Sequence, residues 1–378
     1  MRRFRWHCKV GSAEAAALIL PTTNSANRNQ QRNGHGMTVI SRRSILFAAG
    51  ASALAADSAL WNTFKGKGKR IVLISGDEEY RSEEGLSQLG KILSTHHGFH
   101  CTVLYAIDPA TNLINPEVRD NIPGLEALRT ADLMIILTRF RELPDEQMHF
   151  IDEYVHSGRP IIGLRTATHA FDYKDDSTSN FRHYGYRDKS KWPGGFGKQV
   201  LGETWISHHG HHAVQSTRGV IAPEGSQHPI NLGCEDIWGP SDVYTVTGLP
   251  PTAQKLVMGQ VLQGMSATDK PVEGDYEIEQ RGRKLVKRPN DPMMPVAWTN
   301  TFATRGGKTA RVFTTTMGAS TDLANEGLRR LVVNAVFWSL KMEPKIGKRT
   351  KVDLVGLYQP TAFAFGKHLR DKKPSDFS

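Results

Sequence analysis

Four short apolar runs constrain this chain more than any other feature: 71–74 (Ile-Val-Leu-Ile), 101–105 (Cys-Thr-Val-Leu-Tyr), 132–137 and 160–164. Each is too short for a helix and reads as a strand buried on both faces. Helical patterns separate them. Glu83 to Ser94 places Leu86, Leu89, Ile92 and Leu93 on one face before Gly98. Pro116 to Leu128 reads as a second helix. A third is bracketed by Pro144 at a first helical position, Asp145 and Glu146 in the first turn, and Gly158 beyond its end. A β-α-β-α order of this kind specifies an α/β fold with a mostly parallel sheet and helices on both faces.

From Phe171 to Asp291 the rhythm dissolves into Gly, Pro, Asp and Ser clusters, which read as loop-rich insertions around the sheet edge. Strand patterns return at 295–298 and 310–316. A last helix carries Leu328, Leu331, Val332, Ala335 and Val336 at helical spacing. Domain limits follow from this: a leader over 1–56, an α/β domain over 69–341 and a basic tail over 342–378 that reads as lying on the surface.

The formal charge of +10 over 378 residues would suggest a nucleic-acid partner if it were spread over the fold. It is not. Residues 1–56 hold eight basic side chains and one acid, and residues 342–378 hold eight basic and four acidic ones, so the span between is near neutral. No basic stripe interleaved with aromatics occurs there, and no nucleic-acid partner is expected. Within the leader, Ser41-Arg42-Arg43-Ser44-Ile45-Leu46-Phe47 and the apolar run to Ala56 read as a twin-arginine export signal, with Ala53-Leu54-Ala55 as the cleavage pattern. Met37 stands where such a signal begins, and the mature protein is expected outside the cytoplasm, in the periplasm, with no membrane span. Cys8 falls in the leader. Cys101 and Cys234 remain, and the sequence leaves open whether they pair.

Ligands of parallel α/β sheets bind beyond the carboxyl ends of the strands. Three strand ends here are strongly polar: Asp77 and Glu78 after the first, Arg139 after the third, and Arg165, Thr166, Thr168 and His169 after the fourth. These are candidate ligand-binding residues for a hydroxyl-rich or anionic small molecule, with His169 as a candidate acid or base. Arg165 takes the place of a nucleophile at the strand-to-helix elbow, and a permanently protonated guanidinium can anchor a ligand but cannot attack it. The string His208-His209-Gly210-His211-His212 is the most unusual in the chain. In an extended segment His209 and His211 share one face and His208 and His212 the other; one of His209 or His211 is then the candidate acid–base partner of His169, and both are candidate ligands of a divalent metal, with His208 placed as a ligand-binding residue. A polar loop whose histidines bond backbone and water is the competing reading.

With these segments in place the chain resembles the ThuA-like (trehalose utilisation) family. The resemblance rests on the strand 70–75, on 163–171 (Gly-Leu-Arg-Thr-Ala-Thr-His-Ala-Phe), on His208-His209-Gly210, on His228-Pro229-Ile230, on Ser241-Asp242-Val243-Tyr244, and on Trp298 with the strand 312–318. It implies a flavodoxin-like, class I glutamine amidotransferase-like fold and a sugar-related ligand. The chain departs from the family at the elbow, where Arg165 replaces cysteine or histidine. It departs again at Gly318-Ala319, where Gly-His is usual, and at Asp242-Val243, where an aspartate-glutamate pair is usual. Amidotransferase chemistry is excluded. Two functions stand: an exported enzyme processing a sugar or oxidised sugar by histidine acid–base chemistry, or a non-catalytic carbohydrate-binding or accessory module.

Overall fold

The structure, a computed structural model, describes residues 60–280 and 283–378. The leader, with Arg42, Arg43 and the cleavage pattern, lies outside the described residues. Ten strands form one sheet: β1 (Trp61–Phe64), β2 (Arg70–Gly76), β3 (His100–Leu104), β4 (Leu133–Thr138), β5 (Ile161–Leu164), β6 (Thr217–Ile221), β7 (Trp238–Gly239), β8 (Gln254–Val261), β11 (Met294–Ala303) and β12 (Thr309–Thr315). A separate hairpin pairs β9 (Tyr276–Gln280) with β10 (Arg283–Lys287). The sheet order is β1-β3-β2-β4-β5-β12-β11-β8-β6-β7. Neighbours from β3 to β12 run parallel, whereas β1 and the half from β11 to β7 pair antiparallel, so the sheet is mixed.

The parallel core follows from the apolar runs. Alternation along β2 and β4 sends Ile71, Leu73 and Ile135 to one face and Val72, Ile74 and Ile136 to the other. The first face packs under helices α1 (Ser82–His97) and α3 (Glu326–Ser339), through Leu86, Leu89, Leu328 and Leu331. The second packs under α2 (Asp145–Val155), through Met148 and Ile151. Gly98 closes α1 in the left-handed conformation, its N–H reaching the Leu93 and Ser94 carbonyls.

Two expectations need correction. Pro116 to Leu128 is not a helix: Pro123 lacks the donor a helix needs, Gly124 turns left-handed (φ 88°), and only a 3₁₀ segment, Leu125–Thr130, follows. The 171–291 insertion is not confined to loops, because β6, β7 and β8 within it extend the sheet. The tail lies on the surface and is tied to the fold. It crosses the fold, where Tyr358 Oη donates to the Ser320 carbonyl (2.7 Å), Thr361 Oγ1 donates to Glu84 (2.6 Å) and Asn62 Nδ2 donates to the Pro374 carbonyl (2.6 Å). Cys101 and Cys234 are both buried, free thiols. Among the described residues no helix is long and apolar enough to cross a membrane.

Ile135 is fully buried in the central strand, whereas Val286 is 65 % exposed on the hairpin. Ile135→Ala should lower unfolding free energy by about 2–5 kcal/mol and Val286→Ala by less than about 0.5 kcal/mol, as read by denaturant titration.

Candidate functional site

The polar ends of β2, β4 and β5 meet at one edge of the sheet, and Arg165 lies at their centre. Its backbone turns left-handed (φ 43°), as an elbow requires, and its guanidinium is wholly buried. Nη1 donates to the Asp242 and Thr316 carbonyls (2.6 Å each), and Nη2 donates to Asp242 Oδ1 (2.8 Å) and Tyr80 Oη (3.0 Å). The guanidinium lies 4.5 Å from the Tyr80 ring centre and 3.9 Å from that of Tyr244. Arg165 is therefore a structural cation that organises the site from beneath.

Asp242 is the other half of this arrangement. Burial pushes its carboxyl up, but the Arg165 guanidinium and the two histidines beside it hold it well below the usual carboxylate range. An ionised carboxylate only accepts, so both imidazoles that touch it must donate. His208 Nδ1 reaches Asp242 Oδ2 (2.8 Å) and His212 Nδ1 reaches Oδ1 (3.1 Å). His212 Nε2 meets Glu79 Oε1 at 3.0 Å. Burial lowers the His212 pKa, but these two carboxylates raise it to about 9, so His212 is an imidazolium at neutral pH. His208 has its Nδ1 proton fixed on Asp242. Among the described residues its Nε2 has no hydrogen-bond partner, the disposition of a general base.

The imidazoles that converge are thus His208 and His212, not His209 and His211. The segment is not extended: it bends at His209 and Gly210 and turns from His212, which brings His208 and His212 together; His208 bridges Tyr244, and Lys287 holds the His208 carbonyl (2.6 Å). His209 Nε2 is spent on the Pro289 carbonyl (2.9 Å), while the His211 backbone N–H donates to Gln215 (2.8 Å).

His169 lies where the sequence places it, 3 % exposed, with Nδ1 sharing a hydrogen bond with Thr168 Oγ1 (3.1 Å). Burial and the neighbouring Arg139 and Arg165 keep it neutral, its pKa well below the ordinary value. His169 and His208 flank the same two rings: Trp205 (5.5 and 5.7 Å between centroids) and Tyr244 (6.0 and 5.6 Å).

Asp77 and Thr166 hold one another and do not face a ligand freely. Asp77 accepts from Thr166 Oγ1 and, through Oδ1, from the Glu79 and Tyr80 N–H groups (2.7 Å each), which fixes the turn that presents Glu78, Glu79 and Tyr80. Arg139 pairs with Glu79 (2.7 Å) and Glu78 (3.2 Å), and Arg141 reaches Glu78 (3.5 Å). Burial and the nearby Asp77 lift the Glu78 pKa to about 7, so this carboxyl titrates near neutrality.

Glu79, Tyr80, Trp205, Tyr244 and two tail residues complete the site; Glu79 and Tyr80 follow Asp77 and Glu78 at the first strand end and Tyr244 stands in a resemblance motif, but the sequence assigns none of the six a role. Phe363 packs on Tyr80 (5.3 Å) and His212 (5.7 Å), while Phe365 lies over the Arg139 guanidinium (4.7 Å). The alternation Phe363-Ala364-Phe365 is the one local signal for the tail pair. Donor atoms of His208, His212 and Asp242 lie within 4.8 Å of one another, a set that would accept a divalent cation. Such an ion would have to replace the two Nδ1 protons and share Asp242 with Arg165.

The family profile described as ThuA, trehalose utilisation, matches residues 70–339. Among solved structures, a protein described as ThuA-like from Parabacteroides merdae is 13% identical over 72% of this chain and 90% of its own, with a TM-score of 0.44. An exo-β-1,4-mannosidase from Opitutaceae bacterium strain TAV5 is 10% identical over 78% of this chain and 38% of its own, with a TM-score of 0.28. No curated protein matches the chain.

Asp242→Asn leaves Arg165 buried without its counter-charge and should cost about 3–5 kcal/mol of stability. In the wild type, a His212 pKa raised above the unfolded value gives stability that is complete below about pH 6.5 and is lost as pH rises through about 9. NMR titration of the imidazole should show this high pKa, and it should fall in the Asp242→Asn variant.

Proposed function

Since the chain belongs to the ThuA family, whose description is trehalose utilisation, we propose that it binds and processes a sugar or oxidised sugar at the edge built around Arg165. One observation carries the proposal: the Asp242–His208 pair, in which a buried carboxylate fixes the Nδ1 proton and leaves Nε2 free to take a proton from a hydroxyl or a carbon acid. His169, neutral and beside the same rings, is the partner acid or base. Trp205 and Phe365 offer apolar faces to the C–H side of a sugar ring, and Arg139 and Glu78 offer polar groups to its hydroxyls. Among the described residues the one hydroxyl that hydrogen-bonds to either imidazole is that of Thr168, on His169 Nδ1 (3.1 Å), and no cysteine thiol does so. The parallel order β3-β2-β4-β5-β12 supports the flavodoxin-like, amidotransferase-like description of the core.

His208→Ala should lower turnover of a converted sugar by about 10²–10⁴-fold while leaving its binding within a few-fold. NMR detection of products across a panel of sugars and their oxidised forms measures this. Binding without any conversion by the wild type would make the protein an accessory carbohydrate-binding module instead.

We also propose export by the twin-arginine route, supported by the order of the Arg42-Arg43 pair and the apolar run after it. Replacing both arginines by lysine should keep folded protein in the cytoplasm, as followed by cell fractionation. Unchanged export would refute the reading.

A further inference from the structure

Of the arginines at the polar sheet edge, Arg81, Arg141 and Arg165 are fully buried and committed to the protein. Arg81 donates to the Glu78, Glu79 and Ala364 carbonyls, and its Nε is sealed from solvent. Arg141 donates from Nε to the Arg139 carbonyl (2.8 Å), from Nη1 to the Val118 carbonyl (2.7 Å) and from Nη2 to Glu78 (3.5 Å). Arg165 has both Nη groups bonded and its Nε sealed. Arg139 differs. It spends Nη1 alone, on Glu79 (2.7 Å) and Glu78 (3.2 Å). Among the described residues its Nε and Nη2 have no hydrogen-bond partner, and the side chain is 12 % exposed, so these donors can meet a ligand.

The open edge selects a chemical class. Nε–H and one Nη2–H point the same way, a rigid fork that matches the two oxygens of a planar carboxylate. Arg187 uses this fork on Asp172, where Nε meets Oδ1 (3.0 Å) and Nη2 meets Oδ2. The Arg139 guanidinium is held between two rings, since Phe140 and Phe365 each lie 4.7 Å away. Phe140 lies 5.1 Å from the His169 ring and Phe365 lies 6.4 Å from that of His212, which sets the fork beside the histidines of the site. Glu78 and Glu79 engage the opposite end of the guanidinium, and burial lifts Glu78 to about 7, which lowers the negative charge an arriving anion meets. With the other arginines committed, one fork serves one carboxylate, whereas a phosphate dianion would call for further donors.

We propose that Arg139 is a carboxylate receptor, so that the ligand of this edge carries a carboxylate and is not a neutral sugar. The inference rests on the sugar reading for the rest of the ligand, and the experiment separates the two. Calorimetric titration of the purified protein with glucuronate, glucuronamide and glucose should show glucuronate binding at least tenfold tighter than either neutral compound. The amide keeps the shape of the acid but loses its charge and one acceptor oxygen. Arg139→Lys keeps the charge that pairs with Glu78 and Glu79 but has no fork, and in it the advantage of glucuronate over glucuronamide should fall below threefold. A neutral compound that binds the wild type as tightly as glucuronate, or an advantage that survives in the lysine variant, would overturn the receptor while leaving the sugar reading in place. If the variant does not fold, the wild-type comparison of acid with amide decides alone. Failure of all three compounds to bind would overturn both.

Discussion

A buried cation and a buried carboxylate, Arg165 and Asp242, hold the candidate site together. Neither would be tolerated alone in an apolar interior, and together they are supported from several sides. The Tyr80 and Tyr244 rings flank the guanidinium, two main-chain carbonyls accept from Nη1 and the Tyr80 hydroxyl accepts from Nη2, while Nε has no hydrogen-bond partner among the described residues. Asp242 in turn fixes two imidazoles through their Nδ1 protons. His212, between two carboxylates, carries a proton on each nitrogen, while His208, against one, has a nitrogen left over. One carboxylate thus sets the chemistry of two neighbouring histidines by what each finds on its far side.

A second clamp supports the first. Asp322, in the turn after β12, accepts from the Ser241 N–H (3.1 Å) and Oγ (2.5 Å) and from the Gly318 and Ala319 N–H groups (2.9 and 3.1 Å). It ties the loop that carries Asp242 to the end of a core strand. The stretch around Ala319 is therefore a structural joint in this chain, holding the Asp242 loop against the end of β12.

The parallel half of the sheet was legible because strands covered on both faces need unbroken apolar runs, and 71–74, 133–137 and 161–164 have them. Of the antiparallel half, β11 was legible at 295–298, but β6 and β7 were not, because they are short and only partly buried and lie among Gly and Pro clusters. The convergence of Arg165, Asp77 and Thr166 could be read from strand ends. Which two of the four histidines converge could not. That choice is made by Asp242, 34 positions from His208, and by Tyr244. The aromatic cover from the tail is illegible for the same reason, since Thr361 meets Glu84 across 277 positions.

That last contact has a consequence for how the site forms. Segments that build the site are scattered from the first helix to the tail, and Arg165 is 77 positions from the carboxylate that balances it. No short contiguous fragment contains even its minimal charge balance. Assembly must wait for distant loops to close, which makes it a late event set by topology more than by local preference. The ionisation of His212 and the freedom of His208 Nε2 are therefore properties of the finished fold alone, so a partly folded or nicked chain could keep its sheet and still be chemically silent.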